Sequence, residues 1–268
     1  MTDTAAYRDI LYESSGGVAT ITINRPEKLN AFTPHTLVEL RQAFERVRED
    51  PAVGIAVLTG AGDRAFCAGG DMNWEKEGGI EELRHSEENV VNDLYAAIRD
   101  CLKPVIAKVR GWCIGGGNHL AYNCDLTIAS ADAKFGQNGP RVGSPASGAM
   151  VSYLTRVVGV KRAKEMWLVC RRYSAQEMLA WGLVNSVVPG ELLDAEVQRW
   201  CDDMLALSPT VLKVLKKSFD DEWAPLRERQ GSDDFLEQIN PGFFESGEQM
   251  EGATAFLDKR RPDFSRWR

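Results

Sequence analysis

Two glycine-rich stretches carry the strongest chemical signal in this chain: Ala65-Phe66-Cys67-Ala68-Gly69-Gly70-Asp71 and Gly111-Trp112-Cys113-Ile114-Gly115-Gly116-Gly117-Asn118. Two strand-to-helix junctions of bare backbone can aim two N–H groups at one oxygen atom. That is the construction of an oxyanion hole, where fixed donors meet negative charge as it develops. Glycine suits it because a side chain blocks close approach and because tight turns often require positive φ. Either stretch alone is more simply an ordinary tight turn; the ordered pair with these flanks is what points to chemistry. His119 lies one turn beyond the second stretch, where an imidazole can act as acid or base near neutral pH. By residue type alone, a packed histidine is the commoner fate. His35, at a helix start, and His85, on a charged stretch, have no comparable placement. The Ser144 hydroxyl either donates to a substrate carbonyl or caps the following helix, and Ser147 is a weaker version of the same idea. Asp71 reads as the N-cap of the segment after the first stretch. Glu245 and Glu248, beside Phe243-Phe244, are further carboxyl groups of the kind usually left solvated.

The elements that must hold these residues follow from periodicity. Ile10 to Tyr12 and Val18 to Ile23 are strand-like and joined by Ser14-Ser15-Gly16-Gly17, a hairpin signal. From Thr33 to Arg48, Leu37, Leu40, Phe44 and Val47 recur at helical spacing, with Thr33 as N-cap and Pro34 at the first helical position. The runs Ile55 to Thr59 and Val105 to Val109 are strands that lead into the two glycine stretches. Residues 72 to 90 are polar, charged and glycine-containing, and read as a mobile loop that leads into a helix from about Glu88 to Cys101. Trp74 and Tyr95 are placed to line a pocket from there or simply to pack. Asn118 to Cys124 reads as helical, Leu126 to Ala129 as a strand and Ala133 to Phe135 as a short one. Repeated strand-turn-helix grammar implies an α/β core. Helical patterns then dominate: Ala163 to Cys170, Ala175 to Trp181, Ala195 to Leu207, and a helix opened by Ser208-Pro209.

Composition narrows the classes. The chain has 268 residues, 44% hydrophobic and 26% charged, ordinary for a globular protein of one large domain or a domain with a small appendage. A formal net charge of -7 argues against a general nucleic-acid surface, which needs clustered Lys and Arg. Lys259-Arg260-Arg261 and Arg266 to Arg268 form a small basic patch that suits a solvated tail or contact with a phosphorylated ligand or a neighbouring subunit. No apolar run reaches membrane-span length, and the start lacks a basic-then-apolar secretory layout. The six cysteines are scattered, with no C-x-x-C pair, so neither a disulfide framework nor a metal site is expected. A reduced, cytoplasmic location is the expectation.

The ordered set of motifs resembles the crotonase (enoyl-CoA hydratase/isomerase) superfamily over nearly the whole chain. The matching pieces are Asn24-Arg25-Pro26 with Asn30-Ala31-Phe32, Leu58-Thr59-Gly60 with the first glycine stretch, and Lys103-Pro104-Val105-Ile106-Ala107 with the second. Asp125-Leu126-Thr127-Ile128-Ala129 and Phe135-Gly136-Gln137 continue them. The resemblance implies an α/β, crotonase-type spiral of ββα units over residues 1–200. It also implies a helical C-terminal extension over 201–268 that serves as trimerisation or lid region. An acyl-CoA substrate and a homotrimer or homohexamer are implied too. By position, the oxyanion donors are the N–H groups of Gly70 and Gly116, and a lost donor of that kind costs about 3–4 kcal/mol. The CoA-contacting positions are Lys28, Leu29, Ala31, Ala68, Gly70, Asp71 and Met72.

Gly136 to Ser144, Cys170-Arg171-Arg172-Tyr173, Gly182-Leu183-Val184-Asn185 and Lys259 to Phe264 are similar to a narrower branch. It contains 1,4-dihydroxy-2-naphthoyl-CoA synthase and 2-ketocyclohexanecarboxyl-CoA hydrolase, which make or break a C–C bond beside the thioester. The chain departs from its relatives at telling points. Simple hydratases carry two glutamates where this chain has His119 and Gly139, which disfavours water addition by that pair. Ring-forming relatives carry an aspartate at the position of Ala146 and a tyrosine at that of Phe244. Some of them place bicarbonate in the gap at Gly139. The catalytic expectation is therefore Gly70, Gly116, His119 and Ser144. The expected reaction is C–C cleavage or formation on a cyclic β-keto acyl-CoA. An atypical enoyl-CoA hydratase/isomerase and a catalytically silent acyl-CoA-binding protein are the rivals.

Overall fold

The computed structural model describes residues 7–79, 81, 90–146, 148–221 and 235–267. Strands β1 (Ile10–Ser15) and β2 (Val18–Ile23) form an antiparallel hairpin turned at Gly16-Gly17. Both glycines have positive φ, 58° and 85°, as a two-residue hairpin turn demands. Parallel pairing then adds β3 (Ile55–Gly60), β5 (Val105–Val109), β7 (Leu126–Ser130) and β10 (Ser186–Val188). The resulting six-stranded sheet has the order β1-β2-β3-β5-β7-β10. A second sheet takes the short strands β4 (Ala65–Cys67), β6 (Trp112–Ile114), β8 (Lys134–Gly136) and β9 (Tyr173–Ser174), in that order. Three times in succession the chain gives one strand to the large sheet, one to the small sheet and then a short helix. This repeat is the ββα spiral that the resemblance implies.

Alternation along β3 shows why the large sheet is covered on both faces. Ala56 and Leu58 join a large core beneath the helix Pro34–Glu49. Ile55 and Val57 join a smaller one under Leu193, Val197 and Cys201 of the helix Leu193–Leu205. A strand buried on both sides reads as a continuous apolar run, which is what Ile55 to Leu58 is. Thr33 caps the helix Pro34–Glu49 through a reciprocal bond with Thr36, and Leu37, Leu40, Phe44 and Val47 are its buried stripe. The division expected at residue 200 falls inside the helix Leu193–Leu205.

Several expected boundaries move. Residues 72–90 do not begin as a loop: Met72–Lys76 is helical, because the Asp71 side chain accepts from Asn73 N–H and sets its first turn. The next helix is described over Val90–Asp100, so the expected start at Glu88, like His85 and Ser147, lies outside the described residues. The helix after the second glycine stretch begins at Gly116 rather than Asn118. The extension turns back onto its own core. The helix Glu248–Leu257 packs on Met72–Lys76 and on Gly139–Val142, close enough that a Cβ on Gly143 would lie 2.8 Å from Gln249 Cα. All six cysteines are free thiols. Among the described residues no helix is long and apolar enough to cross a membrane.

Candidate active site

The two glycine turns leave the small sheet side by side, because β4 pairs with β6 in parallel with Cys67 opposite Cys113. They touch backbone to backbone. A Cβ on Gly69 would lie 3.4 Å from Gly116 N, and one on Gly116 would lie 2.5 Å from the Phe32 ring. Gly69 and Gly115 take φ of 103° and 56°, and a Cβ on Gly117 would collide with the Cys67 carbonyl. Glycine is thus required here by both conformation and contact.

Gly70 pairs with Phe32 in an isolated parallel bridge. Phe32 N–H donates to Gly69 O (2.9 Å), and Asp71 N–H donates to Phe32 O (2.8 Å). The bridge uses the amides on either side and turns the N–H of Gly70 away from Phe32. Gly116 is the first residue of the helix Gly116–Asn123, so its N–H has no partner within that helix. Among the described residues, neither N–H donates a hydrogen bond.

The positions expected to meet CoA come together at the same edge. Leu29 and Asn30 adopt left-handed φ of 53° and 55°, and the segment meets the first glycine turn at Leu29 and Phe32. Ala68 N–H donates to Leu29 O (3.1 Å). Buried Asn30 staples the two loops together. Its amide donates to Ala65 O (2.7 Å) and Ala61 O (3.0 Å), and its carbonyl accepts from Arg25 N–H (3.0 Å). The Arg25 guanidinium holds Asp71 at 3.1 Å. Lys28 is exposed and Met72 half-buried.

One functional group escaped sequence reasoning. Glu75, in the helix capped by Asp71, is 6% exposed, and its carboxyl lies against Gly70, where a Cβ on that glycine would collide with Oε1. Its Oε2 is buried with no hydrogen-bond partner among the described residues. Burial pushes its pKa up to about 7; a hydrogen bond from Ser144 opposes the rise and the nearby Asp71 charge adds to it. Gln249 Nε2 donates to the Glu75 backbone carbonyl (3.1 Å), which fixes the helix from the C-terminal side. The signal available beforehand was spacing. A helix started at Asp71 puts residue 75 one turn on, facing the turn it came from.

His119 lies on the other side, 7% exposed, with its ring between Tyr122 and Trp167 at centroid distances of 5.4 and 5.5 Å. Nε2 is 3.1 Å from Gln137 Oε1, so that nitrogen carries the proton for this amide orientation. Burial pulls the imidazole down to about 4, against a smaller opposing effect of Gln137. The ring is therefore neutral at pH 7. Ser144 is half-buried, with its N–H donating to Gly139 O (3.0 Å) and its side chain near enough to Glu75 to hold that carboxyl's pKa down. Ala146 is exposed, and Phe244 is half-buried edge-on to Phe243.

Comparison with known proteins gives this arrangement a lineage. Residues 13–266 match the family "Enoyl-CoA hydratase/isomerase". The chain belongs to that family. An enoyl-CoA hydratase from Mycobacterium avium subsp. paratuberculosis K-10 is 30% identical with a TM-score of 0.82, covering 96% of this chain and 99% of its own. A monofunctional enoyl CoA isomerase from M. smegmatis is 33% identical with a TM-score of 0.69, covering 82% and 94%. A methylmalonyl-CoA decarboxylase solved with 2-nitronate-propionyl-CoA is 26% identical with a TM-score of 0.82, covering 97% and 99%.

Within the enoyl-CoA hydratase/isomerase family, the gap expected at Gly139 is not open. A Cβ there would lie 2.5 Å from the Ser144 carbonyl oxygen. An anion placed there would meet that carbonyl oxygen.

Proposed function

We propose that this chain is an acyl-CoA enzyme that holds a thioester enolate oxygen between the N–H groups of Gly70 and Gly116. We further propose that it makes or breaks a C–C bond beside the thioester of a cyclic β-keto acyl-CoA, in the manner of the naphthoyl-CoA synthase and ketocyclohexanecarboxyl-CoA hydrolase branch. One observation carries the first statement: two glycine turns abut and, among the described residues, leave the Gly70 and Gly116 amides without acceptors. Such donors stabilise an oxygen more as it becomes anionic than while it is a neutral carbonyl, which is the condition for catalysis. The start of the helix Gly116–Asn123 adds its positive end to the same place. Lys28, Leu29, Ala31, Ala68, Asp71 and Met72 then form the edge along which CoA lies.

The second statement is supported by His119 and Gly139 in place of a glutamate pair, and by the similarity to a decarboxylase, an enzyme that breaks a C–C bond. Enoyl-CoA isomerisation is the second reading, favoured by the M. smegmatis isomerase at 33% identity. Turnover of crotonyl-CoA and of a cyclic β-keto acyl-CoA, measured side by side, separates them: the first reading expects the cyclic substrate to be strongly preferred. Tight CoA-ester binding with no turnover of either would instead favour a silent binding protein.

Self-association into a trimer or hexamer is part of the proposal. The helix Pro209–Asp221 exposes Val211, Val214, Leu215 and Phe219, and Ile239 nearby in sequence is 82% exposed. Light scattering should therefore return a mass well above the 29.7 kDa protomer.

A further inference from the structure

The two positions at which simple hydratases keep their carboxylates hold a neutral, packed histidine and a glycine whose open side is filled. Enolate chemistry still needs a group that takes and returns a proton at the α-carbon. We propose that Glu75 is that group, the general acid/base of the site. The proposal rests on the reading that the enolate oxygen sits at Gly70 and Gly116, and it adds the proton's other address.

Three features converge on Glu75. Its carboxyl lies against Gly70, the residue that supplies one of the two donors, so a thioester oxygen held there brings its α-carbon alongside. Its Oε2 is buried without a partner among the described residues, an arrangement too costly to keep unless something else occupies that oxygen in the working state. Its surroundings suit proton transfer near neutrality, since burial lifts the carboxyl to about 7 while Ser144 limits the rise.

The charges also balance. As base, the carboxylate accepts the α-proton, the C–H electron pair becomes the enolate C=C, and the carbonyl π pair moves to the oxygen held by the two amides. Glu75 is then neutral while the oxygen is anionic, so two negative charges never face each other. The reverse step returns the proton to the α-carbon, as release of a newly cleaved acyl-CoA requires. Other charged groups on the elements packed around Glu75 are engaged elsewhere or distant in effect. Asp71 is paired with Arg25, and Glu251 with Arg260. Arg141 donates to Cys170 O (3.2 Å), and Glu248 sits at the start of the C-terminal helix. Of these, Asp71 is the one whose charge raises the Glu75 pKa.

The test is deuterium wash-in at the α-position of butyryl-CoA in D2O, followed by NMR, with butyryl-CoA affinity measured in parallel. Wild-type protein should exchange, with a rate that rises with pH through a midpoint near 7. Glu75→Gln should slow exchange by about 100-fold or more with unchanged affinity, and Glu75→Asp should restore part of it. Exchange by Glu75→Gln at the wild-type rate would overturn the role of Glu75 while leaving the enolate reading intact. No exchange by the wild-type protein would instead overturn the enolate reading itself. Should Glu75→Gln fail to fold, Ser144→Ala serves. Loss of its hydrogen bond should move the midpoint upward, and an unmoved midpoint would overturn the proposal.

Discussion

Each of the two glycine turns launches a helix, and each helix buries one ionisable side chain at the end of its first turn. Glu75 N–H closes on Asp71 O at 2.9 Å, and His119 N–H closes on Gly115 O at 3.0 Å, so the two residues hold matching places in successive repeats. Both are about equally shielded from water, and burial favours the neutral form of each. The outcomes nonetheless diverge. Losing its charge takes the histidine down to about 4, away from the pH at which it could exchange a proton. The same effect takes the glutamate up to about 7, into that range. The partners diverge too: His119 is satisfied by Gln137 and clasped by two aromatic rings, while Glu75 keeps one oxygen unpaired among the described residues, beside the proposed hole. The same burial thus moves the two groups in opposite directions.

The largest effect that could break this comparison is on turnover. Glu75→Gln should reduce kcat by about 10²–10⁴-fold with little change in KM, measured on whichever acyl-CoA is turned over. His119→Ala should cost much less in kcat, and a larger loss there than at Glu75 would reverse the assignment.

Stability against pH sharpens the contrast, because the two residues act with opposite sign. An unfolded histidine binds a proton below about 6.5 while folded His119 resists it down to about 4. Its contribution therefore falls as pH drops through that window, by roughly 3 kcal/mol in all. Folded Glu75 keeps its proton up to about 7, whereas the unfolded residue loses it near 4.5. Its contribution therefore falls as pH rises between those values, again by roughly 3 kcal/mol. In urea unfolding, Glu75→Gln should gain on the wild type as pH rises from 4.5 to 7, and His119→Ala should lose on it.

Smaller still is the cost of His119→Ala at fixed pH, about 1–3 kcal/mol, since Gln137 is left buried without its partner. Least is Asp71→Asn, which keeps an N-cap side chain but removes a neighbouring negative charge. The titration midpoint of Glu75 should move slightly downward, and an upward move would contradict the arrangement.

What could be read without coordinates was local. The N-cap at Thr33, the strands before each glycine turn and the helix Ala175–Trp181 all follow from spacing and caps within one element. The glycine pair was legible for the same reason. Glu75 was not, because Glu75-Lys76-Glu77 falls in the polar, charged stretch that reads as a mobile loop. It is buried by a helix from the other end of the chain, whose Gln249 lies 174 positions away. The closed side of Gly139 was hidden likewise, since it depends on how residues 139–144 double back rather than on the glycine itself. Local grammar reaches the turns; long-range packing decides which charges they keep.

The central claim is settled most directly by a structure of the protein with a bound CoA thioester. The thioester oxygen should lie roughly 2.7–3.1 Å from both Gly70 N and Gly116 N, with the Glu75 carboxyl facing the α-carbon. A thioester oxygen that meets neither amide, or an α-carbon turned toward His119 instead, would contradict it.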